Sequence, residues 1–389
     1  MRSIARVVLV VLAVAAVLLP GTAPAQAIIK VNDNVNFKLG LLLQGQADWQ
    51  EVANSANDAS GGYQQNLLIR RARIILGGQV APNVFFYVDT ENANLGKTTT
   101  GGTGTGAKAP ATGFNLLDAV GEWRIDKAFN IQFGEILVPT NRWILTSSAS
   151  TFMLDQSAYN NLYTAGTQSN TGRDTGFMGR GFLADDHLEY RAAVLSGFRA
   201  AGVKNSFRFT GWLQYDVFDT EVYNMPSYSG VNYGNRKILA FAGGYDTQAD
   251  YKLASANMFL DFPTKFGSFE STVVYQYING GLLIATLPEE NTFSIEAGTF
   301  FRDSKFAPIA RYEQRTYNQT SNEYKNEHRY AVGLNYYPFP KTGNAFNVKV
   351  WWQRVEVKCL VNPGTGACPA GSGNFPTNEF TIQMQVFYF

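Results

Sequence analysis

Four arginines have the chemistry and spacing that could bind anions. Arg71 and Arg73 are two residues apart in the run LLIRRARIILG, and Arg124 and Arg142 follow further along the chain. A guanidinium can donate to two oxygens of a phosphate or carboxylate at once, so arginines that face one space can hold anions. We therefore predict that these four arginines line a space that binds or conducts solutes.

A structural ion-pair ladder is the alternative role for the first two arginines. Asp89 and Glu91 alternate with other residues in the next segment, VFFYVDTE, and a neighbouring strand would place them within reach of Arg71 and Arg73. Sequence alone leaves open whether these arginines bind solutes or stabilise the fold.

The segments that carry the arginines alternate apolar and polar residues, which predicts β-strands. Between residues 35 and 49 the odd positions are mostly apolar, with Phe37, Leu39 and Leu41 among them, whereas the even positions include Asn36 and Lys38. A charge that faces hydrocarbon costs about 2–4 kcal/mol at mid-depth of a membrane, so the arginines should face inward. This pattern predicts a transmembrane β-barrel with a polar lumen.

The last segment of the chain, FTIQMQVFYF, also alternates. Phe380, Ile382 and Met384 share one face, and the chain ends on Phe389. We predict that this segment pairs with the first strand and closes the barrel, which removes the free sheet edges. Phe389 is out of phase with the outward apolar residues, unlike the usual closing strand of such barrels.

Residues 1–27 have the pattern of a secretory signal peptide. Arg2 and Arg6 precede an apolar run over residues 7–19, and Ala25-Gln26-Ala27 is a typical cleavage site. We predict that residues 28–389 form the mature barrel in the bacterial outer membrane, in contact with lipid. The mature part contains no second long apolar run, so no transmembrane helix is expected.

Composition narrows the function. The leader contains two of the 32 basic residues and none of the 31 acidic ones, which leaves a mature net charge of about −1. That balance argues against nucleic acid as a partner. The 28 Phe and 20 Tyr residues suit the aromatic bands at the two membrane interfaces. The fold class is predicted as all-β, a transmembrane antiparallel barrel of about 16 strands.

Several motifs occur in an order that resembles the phosphate-selective porin O and P family. They are LLIRRARIILG, FFYVD, FGE before Pro139, and RDTG followed by LEY and SG, spread over residues 35–220. The resemblance implies a trimeric 16-stranded barrel with an arginine ladder. It also implies that residues 140–170, with Arg142, form an inward-folded constriction loop. The chain has no lysine between Lys127 and Lys204, a departure from the lysine-rich phosphate-selective members.

Cys359 and Cys368 precede the last predicted strand. Because an exported protein meets an oxidising compartment, we predict a disulfide between them. Metal binding is the alternative, although two thiols without a nearby histidine make a poor site. No metal and no cofactor are expected.

We expect a porin: a water-filled channel for passive diffusion of small hydrophilic solutes, with anions such as phosphate among them, assembled as a homotrimer. No enzyme is expected, because only His187 and His328 could serve as a neutral-pH base and neither lies near a serine motif. The alternative function is a barrel that sheaths a partner protein, such as a multihaem cytochrome in an electron-export conduit.

Overall fold

A computed structural model of the chain describes residues 28–52, 62–97, 113–159, 172–199, 206–222, 227–284, 287–318, 325–359 and 376–389. The predicted signal peptide lies outside these residues, as does Cys368. Both the leader and the disulfide therefore stay predictions.

The described residues contain seventeen β-strands, of which sixteen form a closed antiparallel ring. The strands are β1 (Ile28–Asn32), β2 (Val35–Val52), β3 (Gly62–Ala81), β4 (Val84–Leu95), β5 (Asn115–Arg124), β6 (Asn130–Leu137), β7 (Arg173–Leu183), β8 (Leu188–Leu195), β9 (Arg208–Asp216), β10 (Ile238–Gln248), β11 (Tyr251–Thr264), β12 (Gly267–Asn279), β13 (Glu290–Phe301), β14 (Phe306–Tyr317), β15 (Lys325–Tyr336), β16 (Phe346–Cys359) and β17 (Thr377–Tyr388). Each strand from β2 to β16 pairs with the next, and β17 pairs with β2, which closes the barrel. The predicted fold class and the closing role of the last strand are confirmed.

Alternation along each strand separates a lipid-facing exterior from a polar interior. On β9, Phe209 and Leu213 are each 53% exposed, whereas Arg208 and Gln214 are at most 1% exposed. Successive side chains of a strand point to opposite faces, so one sequence pattern supplies both surfaces. The closed ring also satisfies the backbone groups, as a structure within a membrane requires.

The short strand β1 was not predicted. It pairs antiparallel with the start of β2, with Ile28 opposite Lys38 and Lys30 opposite Asn36. All five residues of β1 are exposed. The start of the predicted mature chain therefore extends the sheet at one rim of the barrel.

The side chain of Phe389 packs among interior residues, in agreement with its phase in the sequence. Its ring lies 5.8 Å from the ring of Tyr87, and the Lys38 ammonium lies 4.4 Å from its centroid. The terminal aromatic residue therefore contributes to one mouth of the lumen.

Helices are rare in the described part of the chain. The α-helix α1 has four residues, Arg142–Leu145, and a short 3-10 helix covers Pro340–Thr342. Among the residues described, no helix is long and apolar enough to cross a membrane.

Candidate functional site

The segment after β6 runs along the interior surface of the barrel. The Asn141 side chain accepts a hydrogen bond from Ile144 N at 3.0 Å and begins α1, and all four residues of that helix are buried. Trp143 donates to Ser294 on β13 at 2.9 Å, and the Arg142 amide donates to Asn257 on β11 at 3.0 Å. The segment therefore crosses from β6 to the far wall.

The middle of this segment is held by strands β14 to β16. The Lys349 ammonium donates to the carbonyl oxygens of Thr151 at 2.5 Å and Met153 at 2.7 Å. Asn335 donates to the carbonyl of Phe152 at 2.6 Å, between the two lysine contacts. Residues 160–171 lie outside the described residues, so the prediction that residues 140–170 as a whole narrow the pore stays a prediction.

A second segment enters the lumen from the opposite end, and the sequence analysis did not predict it. It connects β9 to β10 through residues 217–237, of which 223–226 are not described. Strand register places the end of β6 beside the start of β9, so the connection after β9 leaves from the other rim. At this rim of the barrel most connections between strands are short turns, whereas the connection after β9 is long.

The two segments meet inside the barrel. Tyr228 forms a parallel bridge with Thr146, and its amide donates to the Leu145 carbonyl at 2.6 Å. The Arg142 guanidinium donates to both carboxylate oxygens of Glu221, at 2.7 and 2.8 Å. A buried apolar cluster then joins both segments to the wall. Its residues are Phe152, Met153, Leu154, Val231, Tyr233, Phe300, Ala307, Ile309, Ala331, Tyr337 and Trp351.

Arg71 and Arg73 share the interior face of β3, and both contact carboxylates. Arg73 donates to Glu91 at 2.7 Å and to Asp89 at 3.3 Å. Arg71 donates to Asp155 of the inward segment at 2.8 Å, and its Nε lies 3.5 Å from Glu91. These contacts are the ion-pair arrangement that the sequence left as the alternative.

The other two predicted arginines lie elsewhere, so the four do not form one cluster. Arg124 is near the rim at the end of β5, where it contacts Glu122 at 3.1 Å and lies 3.8 Å from the Phe85 ring. Arg142 is the buried partner of Glu221. Whether any of the four contacts a passing solute stays a prediction.

Sequence reasoning missed Arg70, which a β-bulge turns inward. In the pairing of β2 with β3, Gln44 is opposite Arg71 and Gly45 is opposite Ile69, so Arg70 is the extra residue. It donates to Asp155 at 2.6 Å. The Arg-Arg pair was visible in the sequence, but strict alternation places Arg70 on the lipid side.

An interior cavity of about 510 Å³ lies beside the inward segment. Its charged lining consists of Arg70, Arg71, Arg73, Lys97, Arg173, Arg311 and Arg329 with Asp48, Asp89, Glu91, Asp118, Asp155 and Glu379. Seven cations and six carboxylates give a formal charge of +1. The cavity wall is therefore densely charged and nearly balanced.

Two cations of this cavity differ from the rest. Within the described ranges, no carboxylate oxygen lies within 4.0 Å of the side-chain nitrogens of Lys97 or Arg329. Arg329 instead donates to the Tyr159 hydroxyl at 2.9 Å. These two side chains are better placed than the paired arginines to attract a mobile anion.

A second cavity of about 310 Å³ lies closer to the rim where β1 pairs with β2. It is lined by Lys38, Arg124, Glu122, Phe85 and Phe389, among others. Tyr87 lines both cavities, so the two spaces follow one wall of the barrel.

The pH dependence of the Asp155 contact can be predicted. Burial raises the pKa of this loop carboxyl, but Arg70 and Arg71 reverse that effect and hold the pKa well below its ordinary 3.8. A carboxyl with a lowered folded pKa stabilises the fold above its unfolded pKa, and the contribution is lost as pH falls through the folded pKa. The difference in unfolding temperature between wild type and Asp155→Asn should stay constant from about pH 8 to about pH 4 and shrink below. A difference that shrinks between about pH 7 and about pH 5 would contradict this.

Neither histidine belongs to the cavities. His187 lies in the turn before β8, where its Nδ1 contacts the Asp216 carbonyl, and His328 contacts the Tyr312 hydroxyl at 2.8 Å. In the described residues, no three His, Cys, Asp or Glu side chains are grouped as a metal site would need.

A closed 16-stranded antiparallel barrel with an apolar exterior and a charged lumen defines an outer-membrane porin. Solved structures share this fold. An anion-selective porin from Comamonas acidovorans matches with a TM-score of 0.58 and 10% identity, over 90% of this chain and 99% of that one. OmpF of Salmonella typhi in complex with daunomycin matches with a TM-score of 0.58 and 11% identity, over 93% of this chain and 100% of that one. The outer membrane channel DcaP of Acinetobacter baumannii matches with a TM-score of 0.55 and 10% identity, over 92% of this chain and 99% of that one.

A family model matches part of the sequence. Residues 37–202 match the model of the family Phosphate-selective porin O and P. No curated protein matches the sequence. The predicted resemblance is confirmed, the chain is a porin of the bacterial outer membrane, and family and fold indicate a channel rather than an enzyme.

Proposed function

We propose that the protein conducts small hydrophilic solutes by passive diffusion through the cavity beside β2 to β5, with a weak preference for small anions such as phosphate. The single observation that supports this is the nearly balanced lining, which carries an excess of one positive charge. Selectivity in a pore follows the charge and width of its narrowest part. Lys97 and Arg329 supply the excess, whereas Arg71, Arg73, Arg124 and Arg142 contact carboxylates.

The balance of charge limits how strong the preference can be. Phosphate is held well by several cationic donors that are free to converge on it. Here most arginines already donate to carboxylates, which lowers the positive field that a phosphate would meet. A channel with modest anion preference agrees with this lining better than one specific for phosphate.

A homotrimer is part of the proposal. It rests on the family resemblance and on the apolar exterior of the barrel, which suits contact with lipid or with further copies of the chain. Chemical cross-linking of the protein in its native membrane should give a product of three chains. A product that stops at one or two chains would contradict the trimer.

We do not favour the sheath for a partner protein. A sheath must leave its lumen open to a second chain, whereas residues 138–159 and 227–237 pack against each other and the wall inside this barrel. The diffusion channel needs only a passage of solute size, and the two cavities along one wall offer that.

Planar bilayers with purified protein test the proposal. We expect stepwise conductance, a reversal potential in a KCl gradient that shows a modest preference for chloride, and partial block by phosphate. Replacing Lys97 and Arg329 together by glutamine should turn the weak anion preference into a weak cation preference, because these changes take the formal charge of the lining from +1 to −1. Strong cation selectivity, or no conductance from correctly folded protein, would contradict the proposal.

A further inference from the structure

A carboxylate of the protein itself occupies a clamp formed by two arginines. Arg70 Nη2 donates to one oxygen of Asp155 at 2.6 Å, and Arg71 Nη2 donates to the other oxygen at 2.8 Å. Charge-assisted hydrogen bonds to both oxygens are the way in which proteins bind free carboxylates. The Asp155 side chain thus takes the place that a carboxylate solute could take.

The Arg71 half of the clamp is oriented by contacts other than Asp155. Arg71 also donates to Gln44 Oε1 at 3.0 Å, and Gln44 donates to Gln385 at 2.7 Å. The bulge in β3 fixes Arg70 on the same side of the sheet as Arg71. A donor that is already oriented, as Arg71 is, loses little on exchanging one carboxylate for another.

Asp155 is attached to the wall by a second contact that does not use its side chain. Its backbone carbonyl accepts a separate hydrogen bond from Arg311 at 2.6 Å, so the chain stays attached when the side chain rotates. The side chains of Arg70 and Asp155 are 24% and 26% exposed, and both line the larger cavity. A solute in the cavity can therefore reach the clamp.

Charge at the clamp favours a single negative charge. Arg70, Arg71 and Arg73 face Glu91, Asp89 and Asp155, so the local sum is zero with Asp155 in place and +1 without it. A monocarboxylate restores the balance. A phosphate dianion would exceed it, with Glu91 only 3.5 Å from Arg71 Nε.

We propose that the clamp of Arg70 and Arg71 is a binding site for the carboxylate group of monoanionic solutes, and that Asp155 competes for it. This proposal rests on the proposed channel function and names a solute class for its cavity. A tethered group competes at an effective concentration of about millimolar or more, so wild type binds such solutes weakly.

Block of single-channel current by propionate tests the proposal. Asp155→Asn removes the competing charge with almost no change in volume, and the half-blocking propionate concentration should fall about tenfold or more. Adding Arg70→Gln to Asp155→Asn should return the concentration to the wild-type level, because one half of the clamp is lost. Each variant is refolded from the full chain. Folding is confirmed when the variant barrel stays folded in unheated detergent, as the wild-type barrel does.

Glu379→Gln is the matched control, since it removes one negative charge from the same cavity away from the clamp. If Asp155→Asn and Glu379→Gln strengthened the propionate block equally, the effect would come from the overall charge of the cavity. That result would overturn the proposal. A larger gain for phosphate than for propionate would overturn the solute class. Wild type without conductance would contradict the channel itself, and propionate calorimetry on Asp155→Asn would then still test the clamp.

Discussion

Replacing Glu221 by glutamine is expected to lower the free energy of unfolding by about 3–5 kcal/mol, because it removes the negative charge that faces a buried guanidinium. The Arg142 side chain is 2% exposed and the Glu221 side chain is 0% exposed. Arg142 also lies between two rings, 3.7 Å from the centroid of Phe259 and 4.8 Å from that of Tyr228. Water has little access to replace the lost carboxylate.

The same change should also alter conduction. Glu221 belongs to the segment between β9 and β10, whereas Arg142 belongs to the segment after β6, so this ion pair joins two inward segments from opposite rims. Loss of the pair loosens their contact near Tyr228 and Leu145. We expect larger current fluctuations in Glu221→Gln than in wild type.

Urea unfolding in lipid vesicles, followed by tryptophan fluorescence, measures the stability effect. Asp33→Asn is the control, because the Lys30–Asp33 pair is 65% and 93% exposed and should contribute at most about 1 kcal/mol. The double change Arg142→Met with Glu221→Leu should recover much of the loss, since no buried charge remains. A Glu221→Gln effect as small as that of Asp33→Asn would show that the pair does not hold the segments.

Barrel architecture was predictable because strand alternation is a local property. Each strand must present one face to lipid and the other to the lumen, so the period of two recurs along the whole chain. The phase of Phe389 illustrates the precision of this reasoning, as its inward position follows from counting residues. Strand β1 was missed because both of its faces are exposed and its composition mixes Ile28, Ile29 and Lys30 without a dominant side.

The interior of the barrel was less predictable, because its contacts join residues far apart in the chain. Arg142 and Glu221 are 79 positions apart, and Lys349 and Thr151 are 198 apart. The inward segment after β9 has no alternation and no motif that distinguishes it from an exterior loop. Strict alternation also cannot reveal a bulge, so it could not place Arg70 on the interior face.

Charge pairing explains why the predicted arginines do not form one binding site. The sequence predicts that the arginines face inward, since hydrocarbon excludes them, and that prediction needs no knowledge of partners. Which arginine meets which carboxylate depends on strand register and on loop position. Asp155 is the clearest example, because its partner Arg71 is 84 residues away on another element.

Replacing Lys349 by methionine is expected to raise single-channel conductance by about half or more while changing stability little. The Lys349 side chain is 2% exposed, and its ammonium holds the carbonyls of Thr151 and Met153 at 2.5 and 2.7 Å. Burying an ammonium carries a desolvation cost that largely offsets these hydrogen bonds in the overall free energy. Methionine removes both the desolvation cost and the hydrogen bonds. The main consequence is that the inward segment is held less firmly in its position.

Conductance and unfolding must therefore be measured together for Lys349→Met. Lys127→Met is the matched control, because Lys127 is 65% exposed in the turn after β5 and pairs with Asp186, outside both inward segments. Removing the donors frees residues 151–153 to move away from β16, which widens the passage beside them. Since Asn335 still holds the Phe152 carbonyl, adding Asn335→Ala should increase conductance further. Unchanged conductance in the double variant would mean that these contacts do not set the width of the pore, and that the passage lies wholly along the opposite wall.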